Sequence, residues 1–491
     1  MIVRTALNVL AAGCVLTGKA LVAARLRAEP AGWRRMLGVG MRAEASKFAL
    51  PAFGLKVPDA TADGDFNARI VQALFAFLQT EPEARYWLTH DTWVTTRHAI
   101  KHVDLVVQHF NADGTLARIE PHFAPANPDP TDPATLAKVC AALVAAYNRT
   151  RHLPEARRPA QQIFNLRGAL SGVEPLSALR LLTAVCVSFE SRPEGAARFA
   201  LPDARTRRGL GHGFLTFVVR PDAASATADA WSVVHHVGAD GAPWQEAMTR
   251  LERAWGNAPV TFPDAGTVLG PHACFAPGER EVYETLSFHD FSHLLALRKR
   301  LNVRLAAQIG GDITFGALLL WRLAREPEFA GTRFGTTLEV PATGAHERDV
   351  DLIALKPDDF GADSDAALVA FAREFNRLVA AARGRSSPLR QSFKDAELLP
   401  AWLHRKLLEY SPERVRRELG DVGVSVVRDA KVVVGTIPDV GFPSGFIAIG
   451  NLALPTASGR AVGAVSVKAT DEQARAYPAA VRRALERCNN A

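Results

Sequence analysis

The run Ser232-Val-Val-His235-His236-Val-Gly-Ala-Asp240-Gly241 sets two adjacent imidazoles close to a carboxylate and a glycine. Histidine, with an unperturbed pKa of about 6.5, is neutral enough at physiological pH to take a proton from an attacking group and hand it to a leaving one. Three readings compete for these residues. One imidazole acts as a general base; or the histidines and Asp240 hold a metal; or both histidines are buried with structural partners. Spacing disfavours the metal. Neighbouring strand residues point to opposite faces, and no third histidine is spaced as a ligand would be. The structural reading stays open.

The surrounding pattern says what must position these groups. Residues 232–234 read as the end of a short strand, entered from Trp231. From Pro243 the period turns helical, with Trp244, Ala247, Met248, Leu251 and Trp255 on one face. Proline suits a first helical turn, where its missing N–H costs nothing. His235 and His236 therefore stand at a strand end and Asp240-Gly241 at a helix entrance. Asp240 is expected to hold the loop, through an arginine ion pair or as a helix cap. Gly241 lets backbone approach without a side chain in the way.

Sliding the chain by 234 residues lays this segment on "SVKATDEQARAYPAAVRRALERCN". Ser232 meets Ser466, Leu251 meets Leu485, and Arg253 meets Arg487, without a gap. Gly213-Phe214-Leu215 is read against Gly445-Phe446-Ile447, "LFAFLQTEPE" (74–83) against "LLWRLAREPE" (319–328), and "HVDLVVQ" (102–108) against "DVDLIAL" (349–355). A colinear set of this kind predicts two lobes of one α/β fold. In the second copy the histidines become Ala469 and Thr470, and Asp240-Gly241 become Ala474 and Arg475. Packing alone therefore does not demand the His-His…Asp-Gly set.

HHxxxDG at a strand-to-helix junction resembles the signature of the coenzyme-A-dependent acyltransferase superfamily. Its members include chloramphenicol acetyltransferase, the acyltransferase core of 2-oxoacid dehydrogenase complexes, nonribosomal-peptide condensation domains and wax ester synthase/diacylglycerol acyltransferases. Two tandem lobes with the motif kept only in the first resemble the last two groups, which are single-chain pseudo-dimers. "DITFGALLLWRLAREPEF" (312–329) and "FAREFNRLVAAARGRSSP" (371–388) resemble helices of the dehydrogenase acyltransferases. In "GTIPDVG" (435–441), Asp439 stands where those show an asparagine.

The resemblance implies an α/β fold of two chloramphenicol acetyltransferase-like lobes, each a mixed sheet packed with helices. It implies acyl transfer from a thioester to a hydroxyl or amine, with His236 as the base and His235 shaping the site. A condensation-like, amide-forming enzyme and a non-catalytic acyl- or carrier-binding homologue are the alternatives. Coenzyme A or a phosphopantetheine thioester is expected as co-substrate rather than a permanent cofactor, with a small-molecule acceptor as the other partner. No position is assigned to coenzyme A, and no metal is expected.

The lobes are expected at 56–255 and 281–491, joined by a Gly/Pro-rich linker at 256–280. Ahead of them, 1–55 starts with a basic, apolar stretch too short and too soon interrupted to span a bilayer. It reads as an amphipathic helix, packed on the body or lying on a membrane. The charge of +7 on 491 residues permits attraction to anionic ligands but does not indicate nucleic-acid binding. Five scattered cysteines, without a CxxC pair, fit a reducing, cytoplasmic setting. His289 and His293 read as an i, i+4 pair on one helix, solvated or capping, because no HExxH glutamate lies between them.

Overall fold

The computed structural model describes helix α1 (Ile2–Ala28), the strands of the first half, and the greater part of the second half. Those second-half residues are 262–274, 282–341, 348–383, 412–426, 444–454 and 456–489, with a few single positions besides. The first-half strands are β1 (Lys47–Lys56), β2 (Tyr86–His90), β3 (Thr95–Ala99), β4 (Val103–Phe110), β5 (Leu116–Phe123), β6 (Val185–Ser191), β7 (Leu215–Asp222) and β8 (Thr227–His235). The second half contains β9 (Val268–Cys274), β10 (Val282–Asp290), α2 (Ser292–Ile309), α3 (Phe315–Leu323), β11 (Phe334–Pro341), β12 (Arg348–Leu355), α4 (Asp365–Arg383), α5 (Pro412–Leu419), β13 (Val422–Val426), β14 (Gly445–Ile449), β15 (Val462–Ala469) and α6 (Asp471–Glu486).

Two large mixed sheets carry the architecture, and their strand orders coincide. The first runs β1-β8-β7-β6-β4-β5; the second runs β9-β10-β15-β14-β13-β11-β12. Apart from β9, each strand has a counterpart with the same neighbours and the same directions. β6 pairs parallel with β4 and β7, as β13 does with β11 and β14. β8 pairs antiparallel with β1 and β7, as β15 does with β10 and β14. The hairpins β4–β5 and β11–β12 close the equivalent edges.

This order corrects two of the sequence matches. "HVDLVVQ" lies in β4, whose counterpart is β11, whereas "DVDLIAL" lies in the outer strand β12. An alternating apolar run looks alike in both strands of a hairpin, and only the pairing tells them apart. Leu215 stands opposite Val234 and Phe446 opposite Lys468, so with Ser232 on Ser466 it is Phe446, not Ile447, that answers Leu215. A one-residue slip matters because it turns every side chain to the other face. β9 also shows that the stretch expected to link the halves contains an edge strand of the second sheet.

Helices α2, α3, α4 and α6 cover one face of the second sheet. Leu294, Leu297, Leu301 and Leu305 give α2 its apolar stripe, and α3 is buried on nearly every side around Trp321. They pack on Val422, Ile447, Val465 and Val467. Residues on the opposite face, including Leu286, Phe288, Phe446 and Ala464, are buried too. That is why β15 reads Val-Gly-Ala-Val-Ser-Val-Lys-Ala, without clean polar alternation.

The Glu-Pro-Glu motif has a physical role here. Helix α3 ends at Leu323, and Pro327 sets a 3₁₀ turn that points both glutamates at the terminal helix. Glu326, whose side chain has no exposed surface, takes Arg483 Nε at 3.0 Å and lies 3.4 Å from Arg487 Nε. Glu328 accepts Arg483 Nη2 at 2.6 Å. Burial is the largest single influence on Glu328 and works to raise its pKa, but the Arg483 hydrogen bond, a backbone hydrogen bond and the Arg483 charge together hold the carboxyl below the ordinary range.

His289 corrects another expectation. It belongs to β10, not to the helix of His293, and it is buried rather than solvated. Its Nε2 is 2.8 Å from Ser287 Oγ, while its buried Nδ1 has no hydrogen-bond partner. Burial, reinforced by the positive charge of Arg482, lowers its pKa to about 4.

Two outcomes follow for stability. Replacing Arg483 and Arg487 together by alanine strands a buried carboxylate, and denaturation should reveal a loss of roughly 3–5 kcal/mol. Glu326→Gln removes the charge instead, and both arginines, being partly exposed, regain water; its loss should be clearly smaller. For His289, the unfolded chain binds the extra proton first. Stability is therefore complete above about pH 6.5 and declines towards pH 4, by about 3 kcal/mol in all. His289→Gln should flatten that part of the pH profile measured by urea denaturation.

Candidate active site

His235 is the last residue of β8, flanked by β1 and β7, and it pairs with Lys47. His236, Asp240 and Gly241 lie outside the described residues, as does Asp439. The strand end at His235 has a described counterpart in the second half. Ala469 is the last residue of β15, flanked by β10 and β14, and it pairs with Tyr283. In strand order, strand pairing and last paired residue, the end of β8 repeats the end of β15.

The second-half junction is closed by ordinary structural chemistry. The chain passes from Ala469 through Thr470 straight into α6. The Thr470 hydroxyl lies 3.5 Å from the Gln473 N–H it caps and 3.0 Å from Gln473 Oε1. Asp471 and Glu472 fill the first turn, where negative charge suits the exposed N–H groups. Thr285 Oγ1 ties β10 to the same helix by donating to the Ala474 carbonyl at 2.7 Å. Gly445 makes room at this corner: its φ is +121°, and a Cβ there would meet Ala469 Cβ at 2.8 Å. No imidazole stands at this junction. The repeat replaces Ala469 by His235 and the capping Thr470 by His236, exchanging a good cap residue for an imidazole.

Two polar groupings in the second half escaped the sequence reading. Glu284 and Lys468 occupy opposite positions on β10 and β15, both buried, and the repeated Ser466 donates to Glu284 Oε1 at 3.3 Å. They lie on the sheet face away from the helices. Single polar letters inside apolar strands gave no periodic signal, and only the cross-strand register unites them. The Ser287–His289 pair lies on the helix-facing side. Its serine donates to the Val465 carbonyl at 3.3 Å, and it serves packing. Among the described residues, no group of three His, Cys, Asp or Glu side chains could hold a metal ion.

No protein-family model and no curated protein matches the sequence. Solved structures do show likenesses. The chain is similar to F. graminearum TRI101 complexed with ethyl coenzyme A, at 11% identity over 91% of this chain and 97% of that one, with a TM-score of 0.43. It is similar to the first condensation domain of the CDA synthetase, at 12% identity over 96% and 95% of the two chains, with a TM-score of 0.40. It is also similar to the Azotobacter vinelandii dihydrolipoamide acetyltransferase, at 14% identity over 43% of this chain and 82% of that one, with a TM-score of 0.28.

Proposed function

We propose that the chain is an acyltransferase built from two tandem chloramphenicol acetyltransferase-like lobes in a pseudo-dimer. It moves an acyl group from a thioester of coenzyme A or of a carrier protein to a hydroxyl or amine. One observation carries the reading. Two sheets whose strand orders match apart from the edge strand β9 end equivalent strands with different residues, and only the first sequence continues there into HHxxxDG. A motif that the duplicated scaffold builds without in its second copy is retained for something other than packing.

In this mechanism the acceptor oxygen or nitrogen attacks the thioester carbonyl while His236 takes its proton. The tetrahedral intermediate collapses with cleavage of the C–S bond, and the imidazolium returns the proton to the departing thiolate. A thioester is already activated, so no serine or cysteine nucleophile is needed, and the sequence contains no GxSxG elbow. His235 shapes the site. Asp240 holds the loop and Gly241 keeps the approach free. The site is placed in a channel between the lobes, open to donor and acceptor, since packed units commonly bind ligands where they meet.

Incubating the purified protein with a panel of acyl-coenzyme A thioesters should release free thiol only when an alcohol or amine is added. His236→Ala should lower that rate by roughly 10²- to 10⁴-fold with the melting curve unchanged. The wild-type rate should fall as pH drops through the imidazole pKa, because the protonated ring accepts nothing. Acyl-thioester binding without turnover, untouched by His236→Ala, would establish the non-catalytic alternative. A preference for amines would favour the condensation-like one.

A further inference from the structure

Helix α1 has two apolar faces, and among the described residues the body packs against one of them. Leu7, Ala11, Cys14 and Val15 pack against Leu399 and Leu403 of the second half. On the other side Val9 is 68% and Leu16 70% exposed, with Val3, Leu10 and Leu21 also open. At 100° per residue these five aliphatic side chains fall within one arc of the helix. Between Val3 and Leu21 that arc otherwise holds only small residues and threonine, with no charge. A solvated helix face of this length is normally lined with charged residues, and an apolar patch left open marks a binding surface.

We infer that this outer face of α1 seats the protein on an anionic lipid surface, the helix lying in the plane of the interface. Charge selects the occupant. The helix carries Arg4, Lys19, Arg25 and Arg27 and no acidic residue, so it complements anionic headgroups. A second copy docking through the same face would bring two such cationic helices together. The helix lies on the membrane rather than across it: no helix among the described residues is long and apolar enough to span one. The inference stands apart from acyl transfer, and its readout does not involve turnover.

Flotation of the full chain with phosphatidylcholine vesicles, with and without phosphatidylglycerol, tests this. The wild type should float with the phosphatidylglycerol vesicles and much less with phosphatidylcholine alone. Val9→Glu combined with Leu16→Glu should weaken that association by about tenfold or more, with circular dichroism and melting temperature unchanged. Arg4→Gln combined with Lys19→Gln should reduce the dependence on phosphatidylglycerol. Failure of the wild type to float, or flotation unaffected by the double glutamate variant, overturns the inference. So does a wild-type dimer in light scattering that the glutamates convert to monomer without any vesicle binding, since a second copy would then occupy the face.

Discussion

A fully buried carboxylate holds the second half in register. Glu326 sits in a turn beyond α3 and is met by Arg483 from the last turn of α6 and by Arg487 just beyond its end. Such a carboxylate is tolerable only with partners in place, since an unpaired buried charge is far more costly than its pairing is rewarding. The clamp therefore accepts one placement of α6 against α3 and excludes slippage by a turn. Since α6 leaves β15 without a linking loop, fixing its far end also fixes the strand-to-helix corner at Ala469 and Thr470. Glu81 and Arg253 stand at the matching places of the first-half sequence.

Duplication separates scaffold from chemistry. Where an element serves the fold, both copies need it: the central parallel strands, the edge hairpin and the doubly flanked strand before the terminal helix all recur. Where the copies part, one strand ends in Ala469 and a threonine cap and the other in two imidazoles. The second half satisfies its helix N-terminus locally and fills its corner with small residues, as Gly445 against Ala469 shows. That makes a tight joint without an imidazole. The same economy appears in His289, which burial keeps neutral and which is bonded to a serine within the packed layer.

How much of this was legible beforehand depended on the range of the physics. Periodicities are local, so α2, α4 and α6 and the strand character of β8 and β15 follow from side-chain spacing. The duplication is legible because both copies obey the same local constraints. The errors came where local pattern is degenerate. Two strands of a hairpin carry similar alternation, which misassigned the match between residues 102–108 and 349–355. A histidine four residues before another looks helical until the chain turns between them, as it does at Phe291 between β10 and α2.

The sequence by itself pointed to two related halves, and it determined that one of two matching segments carries HHxxxDG and the other does not, and that Glu-Pro-Glu recurs. Those facts are written in the spacing and identity of neighbouring residues. Tertiary structure alone decided the strand orders and the pairing register. It also decided that Glu326 binds arginines more than 150 positions away, that Glu284 and Lys468 meet across two strands, and that α1 turns one apolar face inward and the other out. Each of these depends on which distant surfaces exclude water from one another, and no local pattern of letters contains that.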